Sequence, residues 1–145
     1  MKRILLLTAA LAALFVPTPA RTQDAWVRQV RAQISEVGSR FEQQGYELTH
    51  RIYTGALNDG GAEMVDLDLD VGREYQIMGA CDEDCSDLDF TLYDGNGNVV
   101  DSDMLDDDYP LVTVTVSRSG VFRVRVSMAA CSAEPCRYGI GVFGR

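Results

Sequence analysis

Carboxylates dominate the groups in this sequence that could do chemistry, and they are bunched. Between Asp59 and Asp108 stand 17 acidic residues against one arginine, Arg73, a net charge of −16 over 50 residues. Asp82, Asp84, Asp87 and Asp89 surround Cys81 and Cys85, and Asp101, Asp103, Asp106, Asp107 and Asp108 crowd a second segment. A hard dication takes about six to eight oxygens, and clustered carboxylates repel one another unless one is supplied. Calcium is therefore the cofactor this pattern could hold, with Asp82, Asp84, Asp87 and Asp89 as candidate ligands; no cofactor is required by the pattern. Two other readings of the same acids stay open: solvation of outer strand faces and turns, and a docking face for a basic partner. The run from Asp94 to Asn98 begins like an EF-hand loop, but Val99 stands where the sixth-position glycine is needed and Leu105 where the twelfth-position glutamate is needed, which excludes that motif.

Other catalytic groups are sparse. The one histidine, His50, alternates with Tyr46, Leu48 and Ile52 and reads as a partly buried structural residue. No G-x-S-x-G elbow occurs. Arg123 and Arg125 alternate with Phe122, Val124 and Val126, so they point outward and pair with acids across a strand. A small hydrolase using two carboxylates is the runner-up reading, and a non-catalytic module is the expectation.

Cys81 and Cys85 are separated by three residues, Cys131 and Cys136 by four, and there are no others. Three disulfide pairings are open. Local pairing is preferred because each pair flanks a short polar loop that must reverse or bend; a four-cysteine zinc site competes, at spacings wider than a zinc knuckle. Lys2-Arg3, an apolar run from Ile4 to Val16 and Pro17-Thr18-Pro19-Ala20 together read as a secretory signal peptide over residues 1–20, cleaved after Ala20. That places the chain in the periplasm or outside the cell, where disulfides persist. Beyond residue 20 the balance is 11 arginines against 22 acids. Such a charge repels nucleic acid, and no later run is long and apolar enough to cross a bilayer.

The elements that must position these groups follow from periodicity. Val27, Val30, Ile34, Val37 and Phe41 step by three and four, which predicts an amphipathic helix over residues 21–45, capped at Thr22 or Asp24, ended by Gly45, and bent or cut short at Gly38. From residue 46 the period is two. Alternating segments at 46–52, 65–71, 75–79, 88–92, 99–100, 111–117, 122–128 and 138–142, with turns at Asn58–Gly61 and Asp94–Asn98 and no intervening helices, predict an antiparallel β-sandwich of about eight strands over residues 46–145.

The segments from Val65 to Gly72 with Tyr75, Asp87 to Asp94 with Gly95 and Gly97, Ser119 to Val126, and Tyr138 to Val142 resemble the bacterial pre-peptidase C-terminal domain family. The resemblance implies a jelly-roll-like sandwich serving as a non-catalytic module, with calcium and matrix binding in some members; collagen as a ligand is not implied. The expected function is an exported binding or accessory module, monomeric or weakly dimeric through its helix, whose partner is an unidentified protein or extracellular polymer. A third reading is an envelope structural protein docking through the helix.

Overall fold

The computed structural model describes residues 20–145, with side-chain surroundings from residue 25 onward. The export-signal reading, residues 1–20, lies outside that description except for Ala20, where the helix begins. One helix, α1 (Ala20–Glu42), precedes nine strands: β1 (Glu47–Leu48), β2 (Tyr53–Leu57), β3 (Ala62–Leu69), β4 (Glu74–Cys81), β5 (Cys85–Tyr93), β6 (Val99–Asp103), β7 (Leu111–Thr115), β8 (Gly120–Cys131) and β9 (Cys136–Gly144). All strand pairs are antiparallel. A five-stranded sheet runs β1-β9-β4-β7 with β2 also on β9, and a four-stranded sheet runs β3-β8-β5-β6. From β2 onward the strands alternate between the sheets along the chain except at the β5–β6 hairpin, the interleaving of a jelly roll. This is the mainly β sandwich with one N-terminal helix that the periodicity predicted, with nine strands in place of eight.

The segment expected to run unbroken over 46–52 forms only β1, and the extra strand, β2, lies just beyond it. Glu47 and Leu48 pair with Gly144 and Phe143, and the register then shifts by two before Tyr53 pairs with Ile140. Thr49 holds the break, donating both its N–H and its hydroxyl to the Val142 carbonyl. Leu48 is consequently exposed, and His50 is half-buried at the sheet margin.

Inward residues of both sheets form the main core, including Leu67, Leu69, Tyr75, Ile77, Leu88, Phe90, Val124, Val126, Tyr138 and Ile140. A second core lies on the opposite face of the five-stranded sheet. There Val30, Ile34 and Phe41 of α1 bury against Met78, Ala80 and Phe143, with Val37 packed alongside. The stripe of Val30, Ile34, Val37 and Phe41 is thus covered by β4 and β9.

Three glycines make the close seat. A Cβ at Gly139 would stand 2.7 Å from Val30, one at Gly141 2.6 Å from Ile34, and one at Gly38 2.5 Å from the Phe143 ring. The helix therefore runs through Gly38 without ending there. Thr22 and Asp24 lie inside it, not at its start, since it already includes Ala20. Gly45, at φ 86°, ends it: Tyr46 N–H reaches the Phe41 carbonyl and Gly45 N–H the Glu42 carbonyl, a Schellman closure accompanied by the Phe41–Tyr46 ring contact.

Candidate functional site

Each disulfide staples a corner where the chain passes between sheets. Cys81–Cys85 joins the end of β4 to the start of β5, and Cys131–Cys136 joins β8 to β9. The local pairing is therefore the one found, and the cysteines are not free to hold zinc. Cys85 stands opposite Cys131 in the β5–β8 ladder, so both staples share one end of the sandwich. The segment between β6 and β7 folds over the same end: Leu88 N–H donates to the Asp107 carbonyl at 2.9 Å, and Cys81 Sγ lies 4.0 Å from the Asp108 carbonyl.

The four candidate ligands divide between two places at this end. Asp82 is buried in the β4–β5 corner at 1% exposure. Its Oδ2 accepts the Arg137 N–H at 2.8 Å and its Oδ1 has no partner. Burial, and then Asp84, push its carboxyl up from the usual range. Asp87 and Asp89, two residues apart on β5, instead share its outer face. Burial raises Asp87, with Asp106 and Asp107 adding to the effect; burial raises Asp89, with Asp87 and Asp103 adding; burial and then Asp107 raise Asp108. Among the described residues no three ligand-type side chains gather closely enough to hold a metal ion. Asp82 therefore lies in the corner between the stapled strands, and Asp87 and Asp89 lie on β5 beyond it.

Other acids are occupied structurally, which the sequence did not reveal. Asp101 and Asp103 stand opposite Leu92 and Phe90 and so share the inward face of the edge strand β6. From there they reach across to β7, the edge of the other sheet. Asp101 Oδ2 accepts the Thr113 N–H at 2.7 Å, and Asp103 Oδ2 the Leu111 N–H at 2.9 Å. They close one open side of the sandwich and satisfy donors of an edge strand. Glu63 of β3 bonds Tyr138 of β9 between the sheets. Asp94 is consumed by its own turn, accepting from Asn96 N–H, Asn98 N–H and the Asn98 side chain, and Asn98 holds its carboxyl below the usual range.

The outer face of the four-stranded sheet carries Arg123 and Arg125, of which only Arg123 makes the expected cross-strand acid pair. Arg123 faces Asp66 at 3.5 Å, and Arg125 donates to Ser127 Oγ at 2.6 Å. His50 bridges strands, as its structural reading anticipated: Nε2 donates to the Asp68 carbonyl at 3.0 Å. At the end away from the disulfides, Asp94, Asn96, Ser117, Arg118 and Phe122 line an open cleft of about 350 Å³. The acidic end thus offers carboxylates that repel one another and a loop, Met104–Tyr109, in which Met104 and Leu105 are each 67% exposed. Nothing in the alternation pattern marked those two residues.

No family model matches the chain, and no curated protein matches it. Solved structures do. The chain is similar to PliG of Aeromonas hydrophila, a periplasmic lysozyme inhibitor of g-type lysozyme, at 12% identity and TM-score 0.50, over 66% of this chain and 85% of that one. It is also similar to the pre-peptidase C-terminal domain of a Bacillus anthracis collagenase, at 11% identity and TM-score 0.49, over 63% of this chain and 87% of that one. At such identities the first likeness shows a shared β-sandwich fold.

Proposed function

We propose that this protein is an exported, non-catalytic binding module that docks on a cationic protein through its disulfide-stapled acidic end. The observation that carries the reading is the electrostatics of that end. Burial, and then Asp106 and Asp107, raise Asp87; burial, and then Asp87 and Asp103, raise Asp89; and the nearby Arg137 turns its guanidinium onto the Pro135 carbonyl at 2.6 Å and not onto a carboxylate. Like charges held together cost stability, and a cationic partner relieves that cost on binding. Two disulfides and the expected export signal support a compartment outside the cytoplasm. The periplasmic inhibitor that shares the fold binds a lysozyme, an enzyme class that supplies the first partner to try.

The test is a calorimetric titration of the oxidised chain with a g-type lysozyme at low and moderate salt, alongside lysozyme activity. Saturable binding that weakens with salt and lowers activity supports the reading. Absence of binding at both salts refutes it.

Calcium is the second reading, favoured by Asp87 Oδ1, which is buried without a partner in the neighbourhood of Asp106 and Asp107. A calcium-selective rise of several degrees in the unfolding midpoint, absent with magnesium and lost in Asp87→Asn, would establish it.

A further inference from the structure

We propose that Met104 and Leu105 are the apolar anchor with which the chain enters a cleft on its cationic partner, so that the β6–β7 loop is a rigid docking element. The inference rests on the binding reading above and names the surface that performs it. Met104 and Leu105 are adjacent, each 67% exposed, and no other large apolar side chain among the described residues is as exposed. Tyr109, at 41%, and Leu111, at 37%, follow in the same stretch. A flexible loop would fold such side chains onto its own protein. This one is held away from it.

Hydrogen bonds along the loop fix its backbone. Leu105 N–H donates to Asp103 Oδ1 at 3.3 Å, Asp107 N–H to the Leu105 carbonyl at 2.8 Å, and Tyr109 N–H to Asp107 Oδ1 at 2.9 Å. Leu88 N–H reaches the Asp107 carbonyl, Gly79 N–H reaches the Pro110 carbonyl at 2.8 Å, and Gln33 of α1 donates to the Tyr109 hydroxyl at 3.1 Å. The loop is therefore tied to β5, β4 and the helix. An apolar pair presented on a fixed backbone loses little freedom on binding, the property of an interface anchor.

Charge selects the occupant. Asp106, Asp107 and Asp108 follow the apolar pair directly, and Asp87 lies within their field. An acidic or neutral partner would bring more repulsion to this site, whereas a cleft with an apolar floor and a basic rim matches both features. The two outward arginines lie on β8, in the outer face of the four-stranded sheet, so that face presents mixed charge and lacks the same match.

The experiment repeats the titration with the same lysozyme, using wild type, Met104→Ser/Leu105→Ser and the control Val99→Ser/Val121→Ser, whose side chains are exposed elsewhere. Amide chemical shifts of the labelled wild-type chain are followed in parallel. Truncating two anchors is expected to weaken binding by roughly 100-fold, about tenfold for each, with the control within about twofold of wild type. The shifts should concentrate at residues 103–111 of the wild type, a readout independent of how either variant folds. Asp106→Asn should reduce the salt dependence of the association rate. Binding that is unchanged in Met104→Ser/Leu105→Ser, with shifts mapping to the outer face of the four-stranded sheet, overturns this inference and leaves the binding reading standing. No binding by the wild type overturns both.

Discussion

Gly38→Ala separates helix propensity from helix docking, because the two predict opposite signs. In an exposed helix the change would stabilise the protein by about 1 kcal/mol. Here the new Cβ would lie 2.5 Å from Phe143 Cζ and 2.6 Å from its Cε1, well inside contact distance. The ring cannot easily retreat. It is 2% exposed, stands edge-on to Phe41 at 5.3 Å, and already fills the space that a Cβ on Gly141 would need. Overpacking of this kind costs up to about 3 kcal/mol, so a net loss of about 2 kcal/mol is expected. For a domain of this size that is a fall of roughly 6–10 °C in the unfolding midpoint, read by circular dichroism and checked by urea denaturation. In a Phe143→Leu background the same change should turn stabilising by about 1 kcal/mol, a coupling of about 3 kcal/mol. A Gly38→Ala protein more stable than wild type would refute the seating of α1 on β9. It would also return the helix stripe to the list of surfaces open to a partner.

Three further outcomes follow from the same structure. Asp101→Ala/Asp103→Ala should lower stability by about 1 kcal/mol for each lost acceptor and promote association through the freed β7 edge; an unchanged urea midpoint and unchanged light scattering would contradict the edge-closing role. Removing either disulfide by paired Cys→Ser exchange should cost about 2 kcal/mol, the chain-entropy value for loops this short, and a loss near zero would argue against the staples as constraints. Stability should rise as pH falls from 7 towards the ordinary carboxylate range and decline below it. Burial lifts Asp82, Asp87, Asp89 and Asp108, so their ionised forms weaken the fold above that range and protonation relieves them. Glu74, held low by Arg145 and then Tyr46, and Asp94, held low by Asn98, contribute above the range and lose that contribution below it. Asp87→Asn should flatten the upper limb, as measured by urea midpoints between pH 4 and 8.

Much of the architecture was legible because it is local. The three-and-four spacing from Val27 to Phe41 and the alternation of Val65, Leu67, Leu69 and Val71 each state which face meets a core; the first holds from Val30 onward and the second as far as Leu69, Val71 being exposed in the turn after β3. The short separations within each cysteine pair likewise favoured the bridges that are present. The alternation of Tyr46, Leu48 and Ile52 misled, since Tyr46 serves the helix closure and Thr49 breaks the strand. The acidic site was less legible. Composition marked all the aspartates alike, but whether one caps an edge, as Asp103 does, or repels a neighbour, as Asp87 does, depends on which strand lies across the sandwich. The seat of the helix also has a signal in the sequence: Gly139 and Gly141 alternate on the face of β9 opposite Tyr138 and Ile140.

The placement of β9 has a consequence for how the molecule comes into being. It is the last strand in the chain, yet β1, β2 and β4 pair with it and α1 lies against it. Leu48 must wait for Phe143, and Tyr53 for Ile140, before either has a ladder to join. Contacts so distant along the chain make for slow folding. During synthesis, the helix emerges ahead of all nine strands with its apolar stripe bare and keeps it bare until β9 arrives. The nascent chain is therefore a long-lived client for any holding chaperone.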